Sequence, residues 1–193
     1  FGTRRVGVLD LGAHLGYFSL MLALEGHNVT AVEINSRYFE QMSYLKEVFN
    51  ARGMHTIKQD AVEFVEGARR LGTRYDLILL LSVAYHLARK DRELTRNFLR
   101  TCLQLSDHLL VDDEPNTGAL TRETLQELVG DMCWIDTVFK GIDHRTIYAL
   151  RSTKKRRLAN DIEIDRGSAA KNVYSKEYFD PWKDERPGKQ RND

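Results

Sequence analysis

The first third of the chain carries acids and glycines at spacings that suit a ligand-binding loop. The segment VGVLDLGAHLG places Asp10, Gly12 and Gly16 directly after an apolar run, and Glu33 ends the next such run, NVTAVE. Glycine lets the backbone approach a ligand closely, and a carboxylate accepts hydrogen bonds from hydroxyl and ammonium groups. The pattern therefore predicts a binding site at the ends of two neighbouring strands.

The spacing within this loop excludes two common phosphate sites. A dinucleotide fingerprint has the form GxGxxG, with the pyrophosphate on a helix N-terminus, and a P-loop needs Gly-Lys-Ser/Thr. Here Gly12 and Gly16 lie four residues apart, no Gly-Lys pair follows, and the carboxylate of Asp10 would repel a pyrophosphate. An acid at that position suits a positively charged ligand group, while Glu33 suits ribose hydroxyls. A nucleoside with a cationic amino-acid tail meets both requirements.

Short apolar runs alternate with segments of helical period, which predicts βα units and a parallel sheet to position these residues. The predicted strands are 6–10, 28–33, 54–59, 75–82 and 108–113, with helices at 17–26, 37–52, 62–71, 92–103 and from 121. Two further strands, 134–140 and 145–151, are joined by the link GIDH, which is too short for a crossover helix. The last strand is therefore expected to run antiparallel to the rest.

The loop and the strand pattern resemble the class I S-adenosylmethionine-dependent methyltransferases, whose glycine loop has the form DxGxxxG. The resemblance covers about residues 6–151. It implies an α/β fold with three layers, Rossmann-like, around a seven-stranded sheet that is mostly parallel and has an antiparallel last strand. It also implies S-adenosylmethionine as cofactor, with Asp10, Gly12, Ala13 and Gly16 holding its methionine end.

The same resemblance assigns roles at the ends of the next three strands. Glu33 matches the acid that binds the ribose hydroxyls. In QDAVEF, Asp60 would accept from the adenine amino group and Ala61 would offer its backbone, while Ser82 matches a position whose backbone faces the methionine moiety. Two of these residues also have structural alternatives, namely Glu33 as a charge near a helix N-terminus and Asp60 as a helix cap.

The segment SVAYHLARK, after the fourth predicted strand, offers a candidate catalytic base. It resembles the "SV" followed by histidine of several small-molecule, sugar and RNA methyltransferases. Methyl transfer to a hydroxyl needs in-line positioning and a group that takes the proton, and the pKa of histidine lies near neutrality. His86 is therefore the predicted base, and Tyr85 is expected to shape the pocket. The alternative is that His86 only caps or packs at the strand end.

Two further features at this edge are candidates for binding a metal ion or lining the acceptor pocket. Asp112 and Asp113 in DDEP would suit magnesium, but metal-dependent methyltransferases also carry an acid where this chain has Ser82, so no metal is expected. Asp143 and His144 are candidates for lining the acceptor pocket, although a solvated hairpin turn is the more frequent reason for such residues.

Composition constrains the class of protein without naming a partner. The chain of 193 residues suffices for one sizeable core, and its formal net charge is +1. Cys102 and Cys133 have no CxxC spacing, which favours a reducing, cytoplasmic location over a disulfide framework. No apolar run reaches the length of a membrane helix, and no signal peptide is expected.

The chain is expected to divide into a methyltransferase domain, 1–151, and a polar extension, 152–193. The extension combines KKRR and many charges with the aromatic residues of YSKEYFDPW. It is interpreted as an extension or linker toward a further domain, with a segment that docks a partner, nucleic acid included, as the alternative.

The expected reaction moves the sulfonium methyl group of S-adenosylmethionine to an oxygen of a small molecule or glycan by direct displacement. The opening loop also resembles the sugar-methylating FkbM-type family, which keeps a glycan acceptor in consideration. RNA is the first alternative acceptor, with KKRR, Arg89, Lys90 and Arg92 as phosphate contacts. A non-catalytic cofactor-binding or scaffolding module of a larger protein is the second alternative.

Overall fold

The computed structural model describes residues 4–113, 120–141 and 145–153. The elements follow one another as β1 (Gly7–Leu11), α1 (Tyr17–Leu24), β2 (Asn28–Glu33), α2 (Ser36–Val48), β3 (Met54–Lys58), α3 (Ala61–Arg70), β4 (Leu77–Leu80), α4 (Ala84–Ala88), α5 (Arg92–Leu105), β5 (His108–Asp113), α6 (Arg122–Val129), β6 (Cys133–Lys140) and β7 (Thr146–Ser152). Apart from α4, each element overlaps one that the sequence predicts.

The strands form one sheet of seven in the order β3-β2-β1-β4-β5-β7-β6. Neighbours from β3 to β5 pair in parallel, whereas β7 runs antiparallel to both β5 and β6. The predicted α/β class and the antiparallel last strand are therefore confirmed. The strand order reverses between β1 and β4, and open α/β sheets bind ligands beyond the carboxyl ends of the strands at such a reversal.

Helices cover both faces of this sheet because successive strand residues point to opposite sides. Leu9 and Leu11 of β1 belong to a buried cluster that includes side chains of α3, α5 and α6. Asp10 points to the other face, where its carboxylate meets Ser19 of α1, and α1 and α2 contact β2 and β3. The alternation thus buries a carboxyl group between the sheet and α1.

Four helices begin at a side chain that accepts hydrogen bonds from first-turn amides. These capping residues are Asn35 for α2, Asp60 for α3, Asp91 for α5 and Thr121 for α6. Such caps satisfy amides that the helix itself leaves unpaired. Since α2 and α3 each follow a parallel strand directly, their capped N-termini lie at the carboxyl edge of the sheet.

The fourth strand is shorter than predicted, and a helix that the sequence did not predict follows it. β4 ends at Leu80, and Ser82 adopts a left-handed conformation with φ of 62°. The amide of Ser82 donates to the side-chain carboxylate of Asp112 on β5 instead of to a backbone carbonyl of that strand. The chain then enters α4, whose five residues are too few to show a helical period.

The second helix also ends earlier than predicted, at Val48 instead of Arg52. Asn50 has a φ of 49°, and the amide of Ala51 returns to the carbonyl of Lys46. Such a left-handed residue closes a helix much as the expected glycine would, and Asn tolerates it better than most side chains.

Candidate active site

Asp10 is the penultimate residue of β1 and lies almost fully buried, with 4% of its surface exposed. Its Oδ2 accepts a hydrogen bond of 2.7 Å from the hydroxyl of Ser19. Burial raises the pKa of Asp10 to about 6; the hydrogen bond from Ser19 opposes this shift, and the nearby charge of Glu33 adds to it. A positively charged ligand group at this position would relieve the cost of the buried carboxylate.

The glycines of the loop after β1 are required by the protein's own packing. Gly12 and Gly16 have φ of 71° and 77°, a region that residues with a Cβ rarely adopt. A Cβ on Gly12 would overlap Cγ2 of Val83, and one on Gly16 would lie 2.6 Å from Cγ of Met42. Gly12 therefore sits directly against the segment that leads into α4, so the two loops of the site touch.

Backbone hydrogen bonds hold this loop against β2. The amides of Gly12 and Ala13 both donate to the carbonyl oxygen of Val32, at 2.8 and 3.0 Å. The carboxylate of Glu33 accepts from the amides of His14 at 2.8 Å and Asn35 at 2.7 Å. Glu33 thus fastens the loop to the end of β2, a role that the sequence did not reveal. Each carboxylate oxygen retains capacity for a further donor.

Asp60 caps α3, as its structural alternative proposed. Its Oδ1 accepts from the amides of Val62 at 2.8 Å and Glu63 at 3.1 Å. Its Oδ2 makes no hydrogen bond with the residues that the structure describes, and the amide of Ala61 likewise has no acceptor among them. The cap and an adenine-binding role are therefore compatible, because one acceptor and one donor remain for a ligand.

Ser82 after β4, Asp112 of β5 and Arg145 just before β7 form a polar network. Asp112, 1% exposed, accepts from the Ser82 amide at 2.6 Å and from its hydroxyl at 3.3 Å. Nη1 of Arg145 donates to the Ser82 hydroxyl at 3.1 Å and to Asp112 at 3.4 Å. Burial raises the pKa of Asp112, while the bond from Ser82 and the charge of Arg145 oppose the shift.

The sequence did not predict this network because its members come from three separate segments, namely the turn after β4, the strand β5 and the residue before β7. Asp112 was considered only as a metal ligand, and its carboxylate is already engaged by Ser82 and Arg145. Between residues 4 and 153, the described positions contain no group of three or more His, Cys, Asp or Glu side chains that could hold a metal ion. A strand alignment that pairs the start of β7 with the end of β5 would have indicated Arg145.

Tyr85 and His86 lie on α4, beyond the carboxyl end of β4. Tyr85 is 9% exposed and belongs to the hydrophobic core, which suits support of the site better than contact with an acceptor. The ring of His86 contacts that of Tyr85 in a tilted arrangement, with centroids 4.1 Å apart and an interplanar angle of 36°, and His86 is exposed. Its neighbours are Arg89 and Lys90, with which it lines a depression of about 300 Å³.

Strain concentrates in the two loops that meet at this edge. Only three non-glycine residues of the described chain have positive φ, and two of them are His14 (53°) and Ser82 (62°). The ring of His14 packs on Tyr38 with centroids 3.8 Å apart, and burial lowers its pKa. Such conformations cost energy and cluster at functional sites.

Several predicted features lie outside the described residues. These are Asp143 and His144 of the hairpin link, Glu114 and Pro115 of DDEP, and the extension from residue 154 onward with its KKRR segment. Within the described chain, no helix has the length and apolarity needed to cross a membrane.

The residues at this edge fit S-adenosylmethionine. A buried carboxylate at Asp10 suits a cationic group, and the glycines give a tight loop. Oδ2 of Asp60 and the amide of Ala61, which have no partner among the described residues, suit the adenine ring. Together with the strand order, they define a Rossmann-like methyltransferase of the class I type.

The chain belongs to the family described as "Tellurite resistance protein TehB", which matches residues 4–111. This is a family of S-adenosylmethionine-dependent methyltransferases, so the predicted enzyme class and cofactor are confirmed. Among curated proteins, no relative matches this chain.

Solved structures share the fold at low identity. The chain is similar to the bifunctional kinase-methyltransferase WbdD at 19% identity and a TM-score of 0.67, covering 77% of this chain and 35% of that one. It is similar to the magnesium protoporphyrin IX methyltransferase ChlM of Synechocystis PCC 6803 with bound SAM, at 19% identity, a TM-score of 0.60, and coverage of 78% and 72%. For the N-terminal domain of EvdMO1 with SAH bound, identity is 17%, the TM-score is 0.61, and coverage is 76% and 74%. The chain thus spans about a third of the length of WbdD.

Proposed function

We propose that this chain transfers the methyl group of S-adenosylmethionine to an oxygen of a small molecule or glycan by direct displacement. The observation that carries the proposal is the contact between Gly12 of the cofactor loop and Val83, which leads into the helix of His86. This contact joins a loop suited to the cofactor and an exposed histidine at one edge of the sheet. When bound, the cofactor supplies an electrophilic methyl group on a positively charged sulfur.

In this proposal, Asp10, Gly12, Ala13 and Gly16 hold the methionine end of the cofactor. The ribose hydroxyls donate to Glu33, whose fixed position is supported by its bonds to two loop amides. Adenine is bound by Oδ2 of Asp60 and the amide of Ala61, and the backbone of Ser82 faces the methionine moiety.

His86 takes the acceptor's proton in this proposal, and Tyr85 fixes the orientation of the imidazole. With the cofactor bound, its sulfonium methyl group would be the electrophile, and the site would hold the acceptor oxygen in line with it. Alignment by the site provides most of the rate in such a displacement, since no group of the protein is bonded to the substrate. A cytoplasmic location is part of the proposal and is supported by Cys102 and Cys133, which are both buried free thiols.

Calorimetric titration with S-adenosylmethionine tests the cofactor site directly. We expect micromolar binding of S-adenosylmethionine and S-adenosylhomocysteine, and none of NAD. Glu33→Gln should weaken binding about tenfold or more, or about 1.4 kcal/mol, because the amide side chain cannot accept from all the donors that the carboxylate serves. Glu40→Gln, an exposed position on α2, is the matched control. Unchanged affinity in Glu33→Gln would contradict the placement of the ribose.

His86→Ala should lower methyl transfer about 100-fold or more, the usual contribution of a general base. Affinity for the cofactor should stay the same, because His86 lies on α4 and not in the glycine loop. His55→Ala, at an exposed histidine near the start of β3, serves as the control. Radiolabelled methyl transfer to pooled small hydroxylated metabolites, glycans and RNA provides the activity measurement. A fall of activity and cofactor affinity together would make His86 structural instead of catalytic.

A further inference from the structure

Among the described residues, only cationic or protonatable side chains line the depression next to His86. These side chains are His86, Arg89 and Lys90, and the volume of the depression is about 300 Å³. This volume lies at the lower end of the range for small-molecule pockets, so it suits a group the size of one sugar or smaller. A site with this lining attracts negative charge.

Arg89 and Lys90 have no acidic partner among the described residues. Neither side chain makes a hydrogen bond or an ion pair with any residue of the described segments. By contrast, three arginines of α5, the next helix, have acidic partners: Arg92 pairs with Glu127, Arg96 with Glu93, and Arg100 with Asp131. The acid that follows Lys90 in the chain is Asp91, and its carboxylate accepts from first-turn amides of α5.

Helical spacing places these cations beside the proposed base. Arg89 and Lys90 lie three and four residues after His86, a spacing that brings side chains to one face of a helix. Backbone bonds from Arg89 to Tyr85 and from Lys90 to Leu87 continue the helical path beyond α4. An anion held by Arg89 and Lys90 would therefore keep the rest of its molecule close to the imidazole.

We propose that the methyl acceptor carries a carboxylate or phosphate group, which Arg89 and Lys90 bind so that its hydroxyl lies at His86. The guanidinium offers a planar pair of donors, and the ammonium offers a point charge, a combination that suits either oxyanion. This inference rests on the proposed function and adds the chemical class of the acceptor.

The test uses the whole chain saturated with S-adenosylhomocysteine and the oxyanions themselves as probes. NMR titrations with inorganic phosphate and with acetate, at constant ionic strength, follow the C2 proton of His86. We expect a saturable shift with a millimolar dissociation constant, and the stronger of the two probes identifies the oxyanion. The double variant Arg89→Gln/Lys90→Gln should weaken that binding about tenfold or more, since two charge-assisted contacts are lost.

The control is Arg5→Gln/Arg70→Gln, which removes the same charge at two exposed positions. Arg5 precedes β1 and Arg70 ends α3, so both lie at the opposite edge of the sheet. This variant should bind the probes as the wild type does. Equal weakening in both double variants, or no saturable shift in the wild type, would overturn the inference.

Two further measurements separate this inference from the proposed function and from RNA binding. The affinity for S-adenosylhomocysteine should be the same in the wild type and in both double variants. If the wild type does not bind S-adenosylhomocysteine, the proposed function is refuted instead. A short single-stranded RNA should compete weakly with phosphate. RNA binding that falls steeply with salt and is lost in Arg89→Gln/Lys90→Gln, without phosphate binding, would assign these cations to a nucleic acid.

Discussion

Asp10→Asn is expected to weaken S-adenosylmethionine binding about tenfold or more while raising the melting temperature of the cofactor-free protein by several degrees. The asparagine keeps the shape of the side chain and can still accept from the Ser19 hydroxyl, but it carries no charge. In the proposed site, the cofactor would lose the carboxylate that faces its cationic end, whereas the empty protein loses a buried charge. Calorimetry and thermal unfolding measure the two effects on the same samples.

The stabilisation should depend on pH in a defined direction. Burial raises the pKa of Asp10 from 3.8 to about 6, so the folded protein holds this proton more tightly than the unfolded chain does. The wild type therefore loses stability relative to Asp10→Asn as pH rises from about 4 to about 6, and the full difference, at most about 3 kcal/mol, is present at neutral pH. Near pH 4 the two proteins should unfold at similar temperatures.

Cofactor affinity should change with pH in the opposite sense. In the wild type it should fall as pH drops through about 6, because the protonated carboxyl no longer attracts a cation, and in Asp10→Asn it should stay level. Glu25→Gln, an exposed residue after α1, controls for loss of a negative charge. Equal affinity of the wild type and Asp10→Asn at neutral pH would remove Asp10 from the cofactor site.

Gly12→Ala should destabilise the protein by about 2–4 kcal/mol, a loss of roughly 5–15 °C in melting temperature. The added Cβ meets two penalties, a φ of 71° and overlap with Cγ2 of Val83. Gly72→Ala is a matched control because Gly72 has a φ of 67° with nothing within 4 Å of the added Cβ. It should cost only the backbone term, about 1–2 kcal/mol.

The difference between these two variants isolates the contact between the cofactor loop and the segment that leads into α4. Adding Val83→Ala should recover part of the loss in Gly12→Ala, since it removes the overlapping methyl group, and a double-mutant cycle gives the coupling. Cofactor affinity should also fall in Gly12→Ala and stay unchanged in Gly72→Ala. If both glycine variants lose the same stability, the two loops are not in tight contact.

The fold was predictable because its signals are local. The change between apolar strand runs and helical period is written into each segment, and the four-residue link GIDH permits only a hairpin. The helix caps at Asp60 and Thr121 are equally local, since a side chain bonds to amides two or three residues away. Helix α4 was missed because its five residues carry no period and Tyr85 is packed into a core made by distant elements.

By itself, the sequence determined the α/β class, the strand directions and the sheet edge near which Asp10, Glu33, Asp60 and His86 lie, because period and chain order decide these features. Only the tertiary structure decided which residues at this edge contact one another. It showed that Glu33 fastens the glycine loop, that Asp112 joins Ser82 to Arg145, and that Gly12 packs on Val83. Those contacts join residues 19 to 71 positions apart, and pairings over such distances depend on how the strands order and register in the sheet.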